Sequence, residues 1–193
     1  PKEFGYIPLD IVKKSARAYE INSLFIALKS MGCDPDSLIY FFRSFEIGTT
    51  ADGRTIFPMI DANGKVRAIQ TKKFDHRAKT IHGTTSFAHH ELARKMESRG
   101  ESVDWYRRYT DNTPPFGLFG ANRINGSTLT IHLVEAPKTA LIASVKMGGT
   151  WCATISKSGF SATNCADLKG KQVLVYPDVD AVDEWKGKAD QIA

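Results

Sequence analysis

The sequence predicts an α+β N-terminal subdomain of helices plus a β-hairpin, over residues 1–126, followed by an α/β parallel sheet of βαβαβα pattern over residues 127–193. Three observations predict it. Apolar residues recur at helical spacing from Asp10 through Phe42. The period then shortens to that of extended chain on both sides of Asn63-Gly64. From Thr128, short apolar runs alternate with short helical segments, as in parallel strands joined by right-handed crossovers.

In the first part, Asp10–Arg17 and Asn22–Met31 read as helices, with Leu24, Phe25, Leu28 and Met31 on one buried stripe and Gly32 as the stop. Asp34-Pro35 combines an N-cap with proline at the first helical position, opening a helix through Leu38, Ile39 and Phe42. Two extended runs, Thr55–Asp61 and Lys65–Thr71, flank Asn63-Gly64, which suits a type I′ turn because both central residues need positive φ. Pro58 lacks an N–H, so its strand is expected at an edge or a bulge. Residues 74–84 read as a loop. Ser86 then caps a helix to Arg99, with Phe87, Leu92 and Met96 inward and Gly100 as stop. Asp111–Gly126 is rich in Asn, Pro and Gly and reads as the connection between subdomains.

The second part has strand one at Thr128–Val134, a helix at Lys138–Lys146 ending at Gly148-Gly149, and strand two at Thr150–Ile155. A short helix at about Ser161–Leu168 leads to strand three at Gln172–Tyr176, and the chain turns helical again from Ala181.

Composition excludes several classes. With 42% hydrophobic and 24% charged residues in 193, the chain is neither disordered nor fibrous. No apolar run approaches the roughly 18–20 residues of a membrane helix, and PKEFGYIPLD is not a signal peptide, so no membrane is expected and a cytoplasmic, nucleoid-associated location is. The lack of an initiator Met suggests a piece of a longer chain. Cys33, Cys152 and Cys165 form no CxxC pair, which indicates neither a disulfide framework nor a zinc knuckle.

Charge is concentrated. Residues 1–126 hold 19 Lys and Arg against 14 Asp and Glu, whereas residues 127–193 hold 7 against 7. Residues 62–80 alone carry Lys65, Arg67, Lys72, Lys73, Arg77 and Lys79 with a single acid, Asp75. Strand alternation places Lys65 and Arg67 on one face, and a basic hairpin of this kind suits a phosphate backbone; a solvated basic face is the other reading.

In open α/β sheets ligands bind beyond the carboxyl ends of the strands. Glu135 directly follows strand one, and Asp178 and Asp180 follow strand three. D-x-D in an extended loop points two carboxylates the same way, a cradle for a hard divalent cation. Glu135 from a neighbouring strand completes an oxygen-lined Mg²⁺ or Mn²⁺ site, and Lys138 opens a helix where it can neutralise a phosphate.

A Glu after strand one with D-x-D after strand three resembles the Toprim domain shared by DnaG-type primases, type IA and type II topoisomerases and some nucleases. Val134-Glu135-Ala136-Pro137-Lys138-Thr139-Ala140 is similar to the form found in phage and plasmid primases. Upstream, Gly53-Arg54-Thr55-Ile56-Phe57-Pro58-Met59-Ile60-Asp61-Ala62-Asn63-Gly64-Lys65-Val66 resembles the hairpin that precedes Toprim in DnaG-type cores. Leu118-Phe119-Gly120 stands where that family has a short L-Y/F-G segment. The likeness covers roughly residues 45–185, and the whole chain looks like Toprim-bearing proteins of Bacteroides-type mobile elements. Ala136 stands at the family's usual glycine after the Glu, Val182-Asp183 stands at the usual Ala-Gly of D-x-D-x-A-G, and the stretch after strand three is short for a complete Toprim fold, whose closing strand and helix are therefore expected to be truncated.

The resemblance implies primase-like nucleotidyl transfer, with Asp178 and Asp180 holding Mg²⁺ and Glu135 completing the metal site or accepting the proton of the attacking hydroxyl. Arg54, Lys65, Arg67, Lys72, Lys73, Arg77 and Lys79 would track a single-stranded DNA template. Nucleoside triphosphates are the implied substrates and a replicative helicase an implied partner. A Toprim nuclease using the same carboxylates, and a catalytically degenerate Toprim module that only binds DNA, are the alternatives.

Other chemistry-bearing residues have plainer expectations. His82, His89 and His90 read as surface histidines, and His132 as a satisfied core histidine. Cys152 and Cys165 read as buried. Trp105, Tyr106 and Tyr109 pack against the helical part or form a stacking platform for bases, and Ser158-Gly159 forms a turn or contacts phosphate.

Overall fold

The computed structural model describes residues 3–126 and 128–192, apart from the side chains of Asp190 and Gln191. The first helices form where the apolar spacing places them: α1 at Leu9–Ser15, α2 at Ser23–Ser30 and α3 at Pro35–Ser44. Asn22 caps α2, its Oδ1 accepting the N–H groups of Leu24 and Phe25. Asp34 caps α3 through the Ser37 N–H at 2.8 Å, with Pro35 in the first turn. Leu24, Phe25, Leu28, Leu38 and Phe42 are buried, and the rings of Tyr19, Phe25 and Phe42 meet at centroid distances of 5.2–5.9 Å. Met31, expected on this stripe, is 58% exposed because α2 has ended and Met31 is its C-cap.

Asn22 is a hub as well as a cap. Its amide donates to the Gly48 carbonyl and to Thr49 Oγ1, both at 3.0 Å, and its Oδ1 accepts the Thr55 hydroxyl at 2.7 Å. It thereby ties α2 to β1 (Gly48–Thr49) and β2 (Thr55–Ile60). With β3 (Val66–Lys72) and β4 (Ser86–Phe87) these make a four-stranded sheet of order β1-β2-β3-β4, antiparallel where β1 meets β2 and where β3 meets β4. Pro58 therefore lies in an internal strand and not at the sheet's edge. It is accommodated because β1 pairs only with Thr55 and Ile56.

The turn after β2 is not type I′. Gly64 has φ of +77°, but Asn63 is not in the left-handed region. The Gly64 N–H instead reaches the Asp61 carbonyl at 2.9 Å, and Asp61 Oδ1 accepts the Asn63 N–H at 3.0 Å. Side-chain competition by Asp61 thus selects a longer loop with one left-handed residue.

Ser86 and Phe87 pair as β4, so α4 starts later than expected and spans Ala88–Glu97, burying His89 and Ala93 in place of Phe87, Leu92 and Met96. His89, expected at the surface, is 2% exposed among Phe87, His90 and Tyr109. Burial lowers its pKa to about 4, so it is neutral at physiological pH. Helix α5 (Asp104–Asp111) buries Trp105 and Tyr109, and the Tyr109 hydroxyl donates to the Arg67 carbonyl at 2.9 Å.

Strands β5 (Thr130–Val134), β6 (Thr150–Ala153) and β7 (Gln172–Tyr176) form a parallel sheet of order β6-β5-β7. The step from β5 to β6 goes one way along the sheet, and the return to β7 passes back over β5. Right-handedness therefore puts the two crossovers on opposite faces. The first crossover is α6 (Pro137–Met147), which ends at Gly148 with φ of +70°. The second carries two 3-10 turns, Lys157–Gly159 and Ala166–Leu168, where one short helix was expected. On its face Ile131, Leu133 and Cys152 pack with Phe160, Leu168, Ala181 and Trp185. The last two come from a 3-10 turn at Val179–Ala181 and from α7 (Val182–Ile192).

Residues 115–126 are not a plain linker. Leu118, Ala121 and Ile124 are buried in this same cluster, and Phe119 bridges Ala153 with backbone hydrogen bonds of 2.9 Å in both directions. Accordingly Pro1–Pro58 and Lys65–Pro114 form one unit, while Met59–Gly64 and Pro115–Ala193 form the other. The protein is thus a mixed α/β chain with one four-stranded, antiparallel-paired sheet and one parallel three-stranded sheet. Among the described residues no helix is long and apolar enough to cross a membrane. Cys33, Cys152 and Cys165 are free and buried.

Candidate functional site

Three parallel strands end at one rim of the second unit, and each delivers charged residues there. β5 runs directly into Glu135. After β7 the chain passes Pro177 to Asp178, whose carbonyl accepts the Ala181 N–H at 2.8 Å, closing the Val179–Ala181 turn. Ala181 is fully buried and Trp185 follows in α7, so the turn is pinned from below. Asp180 is therefore presented from a 3-10 turn, while Asp178, the residue before it, keeps the extended backbone expected of the loop. The side chain of Asp180 is 81% exposed.

The carboxylates sense one another. The Glu135 carboxyl is held above its ordinary pKa first by burial, then by the charges of Asp178 and Asp180; the Lys157 N–H and ammonium oppose this. Among the described residues, though, no group of three or more His, Cys, Asp or Glu side chains is gathered tightly enough to hold a metal ion. The carboxylates share a rim without converging on a single point.

β6 contributes what the sequence reading passed over. Beyond Ala153 the chain makes a tight turn in which Ile155 has φ of +65°, a strained conformation for a β-branched residue. Ser156 Oγ accepts the Gly159 N–H at 3.1 Å, and a Cβ on Gly159 would meet the Thr154 carbonyl at 2.1 Å. Ser158-Gly159 is thus a turn, as the plainer expectation had it, and the turn projects Lys157. The ammonium of Lys157 lies 3.6 Å from Asp180 Oδ2 and 3.9 Å from Glu184 Oε2, and donates to the Asp180 carbonyl. The Trp185 indole N–H holds the Lys157 carbonyl at 3.1 Å. A signal was available: Lys157 is the first charged residue after strand two, at the same rim as Glu135.

Lys138 is the second residue of α6, half-buried in its first turn. His132 is not a core histidine. It is half-exposed, stacked on Trp151 at 4.4 Å, with its Nδ1 3.0 Å from the Tyr176 hydroxyl.

The expected nucleic-acid contacts belong to the other unit. Arg54 Nε donates to Asp52 Oδ2 at 2.9 Å, beside a cavity of about 410 Å³ floored by Ile11, Val12, Ile56 and Ile69. Lys65 precedes β3 and its ammonium stands 5.8 Å from the centre of the Tyr6 ring. Arg67 and Lys72 are half-buried in β3, and Lys73 follows it. Arg77 and Lys79 are exposed on a loop whose backbone is organised by Asp75 Oδ1, which accepts both of their N–H groups at 2.9 Å. Trp105 and Tyr109 are buried as packing residues, while Tyr106 is half-buried and shares a 2.7 Å hydrogen bond with His90 Nδ1.

Fold and site together define a mixed α/β protein with an acidic rim at the carboxyl ends of a three-stranded parallel sheet. The sequence matches the family described as a domain of unknown function, DUF6371, over residues 22–179, and the chain belongs to that family. The matched span runs from the Asn22 cap to Val179, taking in Asp178 and leaving Asp180 just outside it. No curated protein matches the chain, and no solved structure does.

Proposed function

We propose that the protein is a primase-like nucleotidyltransferase of Toprim type, acting on nucleoside triphosphates with a single-stranded DNA template. The observation that carries this reading is the placement of Glu135 directly after β5 and of Asp178 and Asp180 after β7, at the carboxyl ends of two adjacent parallel strands. Three oxygen donors of this kind suit a hard divalent cation by their chemistry, and Asp178, Asp180 and Glu135 would have to draw closer together to hold Mg²⁺ or Mn²⁺. When bound, the cation would supply charge neutralisation for a transferring phosphoryl group.

The chain's own residues do the rest. Glu135, with its carboxyl shifted upward by burial and by its neighbours, is suited to take a proton from an attacking 3′-hydroxyl. Lys138, in the first turn of α6, offers a positive charge to a phosphate at the helix N-terminus. Arg54, Lys65, Arg67, Lys72, Lys73, Arg77 and Lys79 supply sequence-independent contacts to a nucleic-acid backbone. A role in replicating a mobile element, beside a replicative helicase and in the nucleoid, follows from the same reading.

The more open spacing of the carboxylates favours a second reading, a Toprim-like module that binds DNA without catalysis. Incubation with single-stranded DNA, nucleotides and Mg²⁺, reading both extension and cleavage, separates the cases. Extension lost in Asp178→Asn supports the primase, and cleavage lost in that variant points to a nuclease. DNA binding indifferent to Mg²⁺ and to that change, with neither product formed, leaves the binding module.

A further inference from the structure

The cavity of about 410 Å³ beside Arg54 lies wholly within the first unit, where α1 and α4 meet the four-stranded sheet. Ile11 and Val12 of α1 and Ile56 and Ile69 of the sheet floor it, and Ala88 and Leu92 of α4 complete its apolar lining. Leu92, whose helical spacing predicts a core position, is half-buried and lines this space instead. Four charged residues line it too, Arg54 paired with Asp52 at 2.9 Å and Lys95 with Glu91 at 2.6 Å, so the lining is formally neutral. Arg54 is oriented in advance of any ligand. Asp52 Oδ2 accepts its Nε–H, Asp52 Oδ1 accepts the Thr50 hydroxyl at 2.6 Å, and Thr50 Oγ1 accepts the Arg54 backbone N–H at 2.9 Å. That closed ring engages one edge of the guanidinium. Among the described residues no acceptor meets its Nη1 or Nη2, which carry the rest of its donors.

We propose that this cavity binds a small monocarboxylate with an apolar body, its carboxylate taken by the Arg54 Nη groups and its body covered by the aliphatic lining. The inference is independent of the nucleotidyl-transfer reading and gives Arg54 a further anionic partner. An apolar pocket with a few placed polar groups is the usual form of a small-molecule site. A planar guanidinium fork matches the two oxygens of a carboxylate, and a side chain already held in place loses little freedom on binding. Asp52 and Glu91, in the same lining, oppose a phosphate dianion more strongly than a single negative charge. The lining residues include no aromatic ring on which a nucleobase could stack, and burying the polar edges of a base against isoleucine and leucine is costly. At the roughly 30 Å³ that a water-sized group occupies in a liquid, the space takes about a dozen non-hydrogen atoms. Hydrocinnamate, a carboxylate on a short arm from one phenyl ring, is of that size.

The test is calorimetric titration of hydrocinnamate, its neutral amide and thymidylate into the wild-type protein, Arg54→Gln and Leu92→Trp, with the site located by methyl chemical shifts. Hydrocinnamate should bind the wild type saturably and about tenfold more tightly than the amide, because a hydrogen-bonded charge replaces a neutral contact. Arg54→Gln should bring the acid down to the level of the amide, and Leu92→Trp, which fills the cavity, should abolish both. Circular dichroism confirms that the variants fold. The comparison of acid with amide, and shifts at the Ile11, Ile56 and Ile69 methyls, need only the wild type, so the proposal stays testable if a variant unfolds. Equal affinity for acid and amide overturns the role of Arg54, and tightest binding of thymidylate overturns the ligand class. Absence of saturable binding by every probe, or shifts confined to other methyls, overturns the site.

Discussion

Trp185 joins the core of the second unit to its acidic rim, and replacing it separates the two contributions. Its side chain is 1% exposed, stacks on Phe160 at 4.6 Å and 26°, and donates its indole N–H to the Lys157 carbonyl at 3.1 Å. Trp185→Ala removes a buried ring and leaves a cavity, at a cost of about 3–5 kcal/mol. Trp185→Phe keeps an aromatic partner for Phe160 but loses the hydrogen bond and part of the volume. About 1 kcal/mol for the bond and a similar amount for the underfilled space give a loss of about 2 kcal/mol. Urea unfolding followed by far-UV circular dichroism measures both. The phenylalanine variant should also loosen the Lys157 turn, seen as faster amide exchange at residues 156–159. Equal losses for the two variants, or a loss below about 1 kcal/mol for Trp185→Ala, would refute the reasoning.

Two further outcomes follow from single residues. Glu135 has a folded-state pKa above its unfolded value, so the folded protein binds its proton more readily, and stability falls as pH rises from the unfolded pKa through the folded one. Glu135→Gln should therefore be more stable than wild type at pH 7 in metal-free buffer, with the advantage fading below about pH 4; urea unfolding at the two pH values checks it. Asn22→Ala removes the cap of α2 and the bonds to Gly48, Thr49 and Thr55 together, and should cost about 2–4 kcal/mol in the same assay.

Signals that depend on neighbours in sequence were the legible ones. Asp34-Pro35 opens α3, and the apolar run Gln172–Tyr176 forms β7 within the bounds read for it. Both rest on local backbone chemistry. Where a side chain's fate depends on distant partners, the sequence was silent or misleading. His89 is buried because α5 packs beside α4, bringing Tyr109 against it, and α5 itself hides its helical period among charged residues. Residues 115–126 have a linker's composition, yet three apolar side chains carry them into the core of the second unit. Asn63-Gly64 failed as a type I′ turn because the Asp61 carboxylate competes for the loop's N–H groups. At the rim, the placement of Glu135 and Asp178 beyond their strands was readable from the apolar runs that precede them. Lys157 was not, because its partners are distant in sequence: the Trp185 indole holds its carbonyl, and Asp180 and Glu184 lie beside its ammonium.

The central claim is that Glu135, Asp178 and Asp180 act together on one divalent cation. Electron paramagnetic resonance of Mn²⁺ added to the wild type, Glu135→Gln and Asp178→Asn tests it most directly, with inorganic phosphate present in each sample. One protein-bound Mn²⁺ in the wild type, weakened by either substitution, is the expected result. Mn²⁺ that binds equally to all three proteins, or to none, would contradict it.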